Sequence, residues 1–264
     1  MSKLPKYVYL HIFIVMLSTL LYLRQAQIII MYKAILLDFD DTLYDTHGNA
    51  QIALEVMFRE FGLDKFFNSF EDFSIPYWET NVELWSQYAK GEITRDYLIM
   101  ERFRRPLSLG KGLDVTPELC LAISERFLDC CTEQTGVIDG AYHLLDYLKG
   151  KGYPLYMASN GFSEVQSRKL ARVGMTDYFD GIILSEAAGV NKPSPLFFEY
   201  ALKQTGHEAK DVIMIGDNYN TDIMGAMLSG IDQIYFNPEG KPLQASDSIP
   251  TYTVESLKEI ENIL

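Results

Sequence analysis

Residues 32–46 read YKAILLDFDDTLYDT, an apolar run broken only by Lys33 that stops on carboxylates at Asp38 and Asp40, with Thr42 close behind. A run of this kind reads as a short strand buried on both faces, the signature of a parallel sheet. A strand end that needs only solvation is served as well by Gly, Asn or Lys. Two carboxylates two residues apart can project to the same side as the strand runs out. At that separation they repel unless one is protonated or a cation lies between them. The stretch therefore predicts both a parallel α/β fold and an anionic or metallic ligand at one edge of it.

Four more short apolar segments follow, at 154–159, 181–184, 212–216 and 233–236. Helical periodicity fills the gaps, at 139–149 closing on Gly150, 163–173 on Gly174, 195–205 on Gly206 and 221–229 on Gly230. A glycine at such a place can adopt the left-handed conformation that ends a helix. Strands alternating with helices imply an α/β fold, a doubly wound, mainly parallel, Rossmann-like sheet with helices on both faces. Residues 47–136 break the alternation. They carry several helix starts and little strand signal: Ile52, Val56, Met57 and Phe61 fall on one face that ends at Gly62, and Thr94 and Thr116 with Pro117 look like N-caps. The expected organisation is a core of 31–46 and 137–264 interrupted by an all-helical insertion at 47–136.

The length, 264 residues, and 48% hydrophobic content suit a folded protein with ample core. A net charge of -13 disfavours nucleic acid or an anionic membrane surface as the main partner, since both would repel it. A small phosphate ester is compatible with that charge, because a few local donors and a cation outweigh a distant negative field. Cys120, Cys130 and Cys131 have no C-x-x-C spacing and are expected as buried free thiols, which points to a reducing, cytoplasmic setting. His11, His47, His143 and His207 are scattered, which argues against a zinc site.

Residues 1–30 stand apart. The segment 7–23, YVYLHIFIVMLSTLLYL, is apolar and flanked by Lys3, Lys6 and Arg24, as in a short membrane anchor or a signal sequence. No A-x-A-like cleavage site follows, and the length is marginal for a span. The preferred reading takes Met31 as the natural start and 1–30 as an upstream extension; a membrane role survives only if that extension is made.

With the strands in place, polar groups gather at four of their carboxyl ends: Asp38 and Asp40, Ser159-Asn160-Gly161, Ser185-Glu186, and Gly216-Asp217. Ligands of open parallel sheets bind along that edge. Asp217 adds a carboxylate to the first pair, and Mg²⁺, a hard ion that takes oxygen ligands, would meet the need for a cation. Asp222 stands at a helix start, where Asp serves as a helix cap as often as a ligand. Lys192, before two prolines in NKPSP, and Ser159 would mean little alone; their weight comes from arriving together at one edge.

Those pieces in that order, DFDDT at 38–42, SNG at 159–161, NKPSP at 191–195 and GDNYNTD at 216–222, resemble the haloacid dehalogenase superfamily of aspartate-nucleophile hydrolases. LWSQYAKGEIT in the insertion, SNGFSEVQSRKLARVGMTDYFDGIILSEAAGVNKP and the terminal PTYTVESLKEIENIL further resemble its YjjG-type pyrimidine 5′-nucleotidase group. The resemblance implies that Asp38 attacks phosphorus to form an aspartyl-phosphate while Asp40 protonates the leaving alcohol and later activates water. It implies that Thr42, Ser159, Asn160 and Lys192 bind the substrate, Ser159 and the Asn160 backbone holding phosphoryl oxygens and Lys192 offsetting charge. Mg²⁺ would sit on the Asp38 carboxylate, the Asp40 main-chain carbonyl and Asp217, with Asp222 as a ligand or one layer behind.

Because halide departure needs neither a proton donor nor a metal, Asp40 marks a phosphatase rather than a dehalogenase. Ser159 stands where many relatives have Thr, and Asn218 and Thr221 replace Ser and Asn, which bears on the role of Asp222. The implied activity is hydrolysis of nucleoside 5′-monophosphates with a preference for pyrimidine ones; sugar-phosphate or phosphoglycolate hydrolysis, or a phosphomutase, is the alternative. The helical insertion would act as a cap that selects the substrate. Its aromatics Tyr77, Trp78, Trp85 and Tyr88 could stack on a base, but aromatics at helical spacing more often fill a core.

Overall fold

The computed structural model describes residues 32–264, and the 1–30 extension lies outside them. The first strand, β1 (Ala34–Leu37), is buried along its whole length. Four helices of the insertion follow: α1 (Thr46–Glu60), α2 (Glu71–Ala89), α3 (Arg95–Leu107) and α4 (Pro117–Glu133). Then come α5 (Ala141–Gly150), β2 (Leu155–Ser159), α6 (Ser163–Arg172), β3 (Gly181–Leu184), α7 (Pro195–Thr205), β4 (Val212–Gly216), α8 (Met224–Leu228), β5 (Asp232–Phe236) and β6 (Tyr252–Val254).

All six strands run parallel in the order β3-β2-β1-β4-β5-β6. β1 lies at the centre, pairing Leu37 with Met157 of β2 on one side and Ile215 of β4 on the other. Alternation along the strands assigns their two faces. Ile35, Leu37, Met157, Ile213 and Ile215 pack with Leu144, Leu145 and Leu148 of α5, whereas Ala34, Leu36, Val212 and Met214 pack with Phe197, Phe198 and Ala201 of α7. Both faces are thus covered, as a doubly wound sheet requires. The five strands read from the sequence are present within two residues at each end. β6 is a sixth; its three residues are too short a run for periodicity to register.

Helices α1 to α4 close around their own cluster, including Ala53, Leu54, Met57, Phe73, Tyr77, Phe103, Phe127 and Cys131. Thr94 and Thr116 cap α3 and α4 by accepting from the backbone N–H groups of Tyr97 and Leu119. The face expected for α1 needs correcting. Its buried stripe runs through Ala50, Ala53, Leu54, Met57 and Phe58, and Ile52 is 50% exposed. The first turn is spent on Asn49, whose amide exchanges hydrogen bonds with the backbone of Gly136 and sets the helix rotation. Gly150 also differs from expectation: α5 runs through it, and Gly152 takes the left-handed conformation at φ 83°. The helix expected over 221–229 opens with a wider π-type turn, Tyr219–Ile223, before α8.

A smaller cluster joins the helical block to the sheet, with Leu84 and Leu98 packed against Phe162 and Val165 at the start of α6. Arg95 ties the same boundary, reaching Glu186 at 2.9 Å and Glu164 while its guanidinium lies 4.2 Å over the Phe162 ring. Among the described residues no helix is long and apolar enough to cross a membrane. The three cysteines are buried and free, as expected.

Candidate active site

The chain turns sharply where β1 ends. Asp41 takes a left-handed backbone at φ 58°, which Asp tolerates better than most residues. Its carboxylate holds the turn by accepting from the His47 backbone N–H at 2.9 Å. Asp38 and Asp40 are left on either side of Phe39, which is wholly buried.

Asp38, Asp217 and Asp222, from the ends of β1 and β4 and the turn after β4, bring one carboxylate oxygen each within 4.8 Å of one another. Lys192 enters this cluster from the side. Its ammonium donates to Asp38 Oδ1 at 2.6 Å, to Asp222 Oδ1 at 2.6 Å and to the Ala158 carbonyl at 2.7 Å, which uses all three of its protons. Burial alone would push Lys192 down, but Asp222 and Asp38 override it and hold the ammonium charged. Burial drives Asp38 well above the usual carboxylate range; Lys192 opposes the shift, and Asp222, Asp217 and Asp40 add to it. Asp217 is pushed up to about 7, by burial first and then by Asp222 and Asp41.

One ammonium among three carboxylates leaves two negative charges in excess once all three are ionised. A hard divalent cation with oxygen preference fits that donor set, and no histidine or cysteine stands among the three to favour a softer metal.

Asp40 occupies a different environment. Its Oδ1 accepts from Lys169 Nζ at 2.5 Å and Thr46 Oγ1 at 2.6 Å, and its Oδ2 accepts from the Gln166 amide. Burial would raise this carboxyl, yet the charge and hydrogen bond of Lys169, with Thr46 and Gln166, bring it below the usual range. Two carboxylates two residues apart are thus pushed in opposite directions, Asp38 up by burial among other carboxylates and Asp40 down by its own cation.

The remaining sequence-derived residues take specific places. Ser159 Oγ accepts from Gly161 N at 3.0 Å and from Gln166 Nε2 at 2.8 Å. The Asn160 side chain forms a reciprocal pair with the backbone of Lys192, donating to its carbonyl at 2.9 Å and accepting from its N–H at 2.8 Å. That clamp fixes the root of Lys192 beside the end of β2. Thr42 is fully buried behind the carboxylates; Asp217 N donates to its hydroxyl at 3.0 Å, and the hydroxyl lies 2.9 Å from Asp217 Oδ1 and 3.4 Å from Asp38 Oδ2. Asp222 Oδ2 accepts from Asn218 N at 3.1 Å, so Asp222 holds its own turn as well as Lys192. Gly216 must lack a side chain here, since an added Cβ would collide with the Asp222 carboxylate. Glu186 faces Arg95 and the Ser163 N–H rather than the aspartates.

The sequence reading passed over Thr46, Gln166 and Lys169. A lysine and a glutamine on a polar helix carry no local signal, and only the docking of α6 against β1 and β2 brings them to Asp40. The insertion aromatics are packing residues: Tyr77 is buried among Phe73, Phe103 and Phe127, Trp78 stacks on His47 with its N–H on Gln51, and Trp85 and Tyr88 meet Phe162.

Residues 32–230 match the family model described as haloacid dehalogenase-like hydrolase. The chain is 33% identical over 231 residues to the pyrimidine 5′-nucleotidase YjjG of Escherichia coli, covering 87% of this chain and 96% of that protein. It is 31% identical over 235 residues to the pyrimidine 5′-nucleotidase PynA of Streptococcus pneumoniae, covering 88% and 95%. Among solved structures, the magnesium-bound HAD-hydrolase YfnB of Bacillus subtilis superposes with a TM-score of 0.78 at 29% identity, covering 88% of this chain and 98% of that one.

Proposed function

The chain belongs to the haloacid dehalogenase-like hydrolases, and from that footing we propose that it hydrolyses nucleoside 5′-monophosphates, pyrimidine ones first, with Mg²⁺ bound among its aspartates. The observation that carries the proposal is the pair of contrasting environments at the end of β1: Asp38 in a cluster of three carboxylates that share one ammonium, and Asp40 two residues on, gripped by its own cation. The likeness to two pyrimidine 5′-nucleotidases over most of the chain supports the substrate class.

In this mechanism Asp38 is the nucleophile. Its Oδ1 is held by Lys192, and Oδ2 has only the 3.4 Å contact with Thr42 among the described residues, so Oδ2 attacks phosphorus. Asp40, held ionised by its donors in the free site, first takes a proton from solvent; the bond from phosphorus to the ester oxygen then breaks as Asp40 passes that proton to it, leaving an aspartyl-phosphate and a free nucleoside. Asp40 then takes a proton from water; the water oxygen attacks phosphorus, the bond to Asp38 breaks, and inorganic phosphate departs. Ser159 already accepts two hydrogen bonds, which leaves its single O–H to donate to a phosphoryl oxygen. With its three protons committed, Lys192 acts by charge, favouring the ionised form of Asp38 against its burial and orienting it. Thr42 braces Asp217 against the β1 turn. Asp38, Asp217 and the Asp40 carbonyl would hold Mg²⁺, with Asp222 as ligand or support, and the ion when bound would neutralise charge on the phosphoryl oxygens. The helical block would close over the leaving group as a cap and shield it from bulk water.

The test is phosphate release by protein starting at Met31, over nucleoside monophosphates, sugar phosphates and phosphoglycolate, with Mg²⁺ and with chelator. Chelator-sensitive preference for UMP, dUMP or dTMP is expected. Preference for sugar phosphates would retain the chemistry and replace the substrate; no turnover of any ester would overturn the proposal.

A further inference from the structure

The inward stripe of α6 consists of Val165, Gln166, Lys169 and Leu170. A helix that had only to pack against the sheet would carry apolar residues at all four places, because burying an ammonium and an amide costs free energy that packing does not return. Gln166 is 1% exposed and Lys169 6% exposed. Both reach the same target. Lys169 Nζ lies 2.5 Å from Asp40 Oδ1 and 4.9 Å from the centre of the Tyr44 ring, while the Gln166 amide donates to Asp40 Oδ2 and, at 2.8 Å, to Ser159 Oγ.

Two further observations show that this arrangement is specific. The Gln166 Oε1 is buried with no hydrogen-bond partner. Turning the amide over would satisfy that oxygen no better, since it would then face the Asp40 carboxylate. Gly161 has no side chain, and an added Cβ would occupy the space of the Gln166 amide. Finally, an apolar pair would dock the helix at least as well as a buried ion pair does.

We propose that Gln166 and Lys169 are positioning residues for the hydrolysis: together they fix both oxygens of Asp40 toward the ester oxygen of the substrate, and Gln166 also turns the Ser159 hydroxyl toward the phosphoryl group. The inference rests on the roles of Asp40 and Ser159 given above. It makes α6, rather than the loops alone, the element that couples the proton donor to the phosphoryl cradle. Two hydrogens on one amide nitrogen span the two groups, so neither can rotate without the other.

The experiment compares two esters in the presence of Mg²⁺. A nucleoside monophosphate leaves as an alkoxide that needs a proton, whereas p-nitrophenyl phosphate leaves as a stable phenolate and in its first turnover needs none. Lys169→Met is expected to slow the first turnover of the nucleotide about 100-fold, the scale of a lost proton donor, and that of the nitrophenyl ester no more than about threefold. KM should hardly change, and Lys169→Arg should recover part of the rate. Gln166→Leu should slow both esters, the nucleotide more, because it releases Ser159 as well.

Should Lys169→Met fail to fold, Lys169→Gln keeps a donor without the charge, and the same ratio is read on it. Equal losses on the two esters in a folded variant would reduce the pair to structural residues and overturn the inference. Failure of the wild-type protein on both esters would instead remove the phosphatase reading beneath it.

Discussion

Thr42 and Asp217, 175 residues apart, bind each other twice: the Asp217 backbone N–H donates to the Thr42 hydroxyl at 3.0 Å, and the Thr42 hydroxyl lies 2.9 Å from Asp217 Oδ1. The contact staples the turn after β1 to the end of β4, so the two halves of the carboxylate cluster are held by a residue that is itself fully buried. Thr42→Val keeps the shape and removes the hydroxyl. It should cost about 1–3 kcal/mol, because a buried donor and acceptor lose their partner. Urea unfolding would measure this, and Mg²⁺ binding by calorimetry should weaken alongside; unchanged values in both would show the staple to be dispensable.

Asp38→Asn should leave the fold intact and cut kcat at least about 1,000-fold, as expected for loss of a nucleophile. Removing one of three crowded carboxylates also relieves repulsion, so thermal unfolding without metal should occur at the same temperature or higher. An active Asp38→Asn protein would overturn the mechanism.

Lys192→Met removes the ammonium from two buried carboxylates. Leaving buried charge uncompensated typically costs about 3–5 kcal/mol. The loss should be larger at pH 8 than at pH 5, because burial raises the Asp38 carboxyl and a proton there can take the place of the missing cation at the lower pH. Chemical denaturation at the two pH values decides it: an equal loss at both would mean that the lysine matters by packing.

The raised Asp217 carboxyl gives a pH dependence with a definite sign. Its ordinary value is 3.8 and burial with Asp222 lifts it to about 7, so the folded protein holds this proton more tightly than the unfolded chain does. The associated stability is fully present below about pH 4 and is lost as pH rises through about 7. Metal-free protein should therefore lose thermal stability between about pH 4 and 7, and Mg²⁺ should restore it. Because bound metal requires ionised carboxylates, Mg²⁺ affinity should rise over the same interval. Flat melting temperatures from pH 4 to 7 without metal would contradict this.

Arg95 joins the helical block to the sheet through Glu186, Glu164 and the face of Phe162. The pairs are partly exposed, so Arg95→Ala should cost at most about 1 kcal/mol of global stability. Its effect should lie in closure of the helical block, visible as higher KM for a nucleotide and faster proteolysis between α1 and α4. A variant with altered melting temperature but unchanged KM would place Arg95 outside closure.

The amino-acid sequence alone determined the strands, their parallel arrangement and the order of the polar strand ends. These follow from patterns repeated within a few residues: an apolar run has one economical place in a sheet, and parallel strands all deliver their carboxyl ends to one edge. Asp38, Asp217, Asp222 and Lys192 could be gathered on paper for that reason. Tertiary structure alone decided what surrounds them. Lys169 and Gln166 look like solvated residues of a polar helix until the rotation of α6 turns them inward, and Thr42 becomes a staple only when β1 and β4 lie side by side. The rotation of α1 was likewise set by the long-range Asn49–Gly136 contact, which buried Ala53 and left Ile52 in solvent. Local periodicity records which faces a helix has; the packing of distant segments selects the one that is buried.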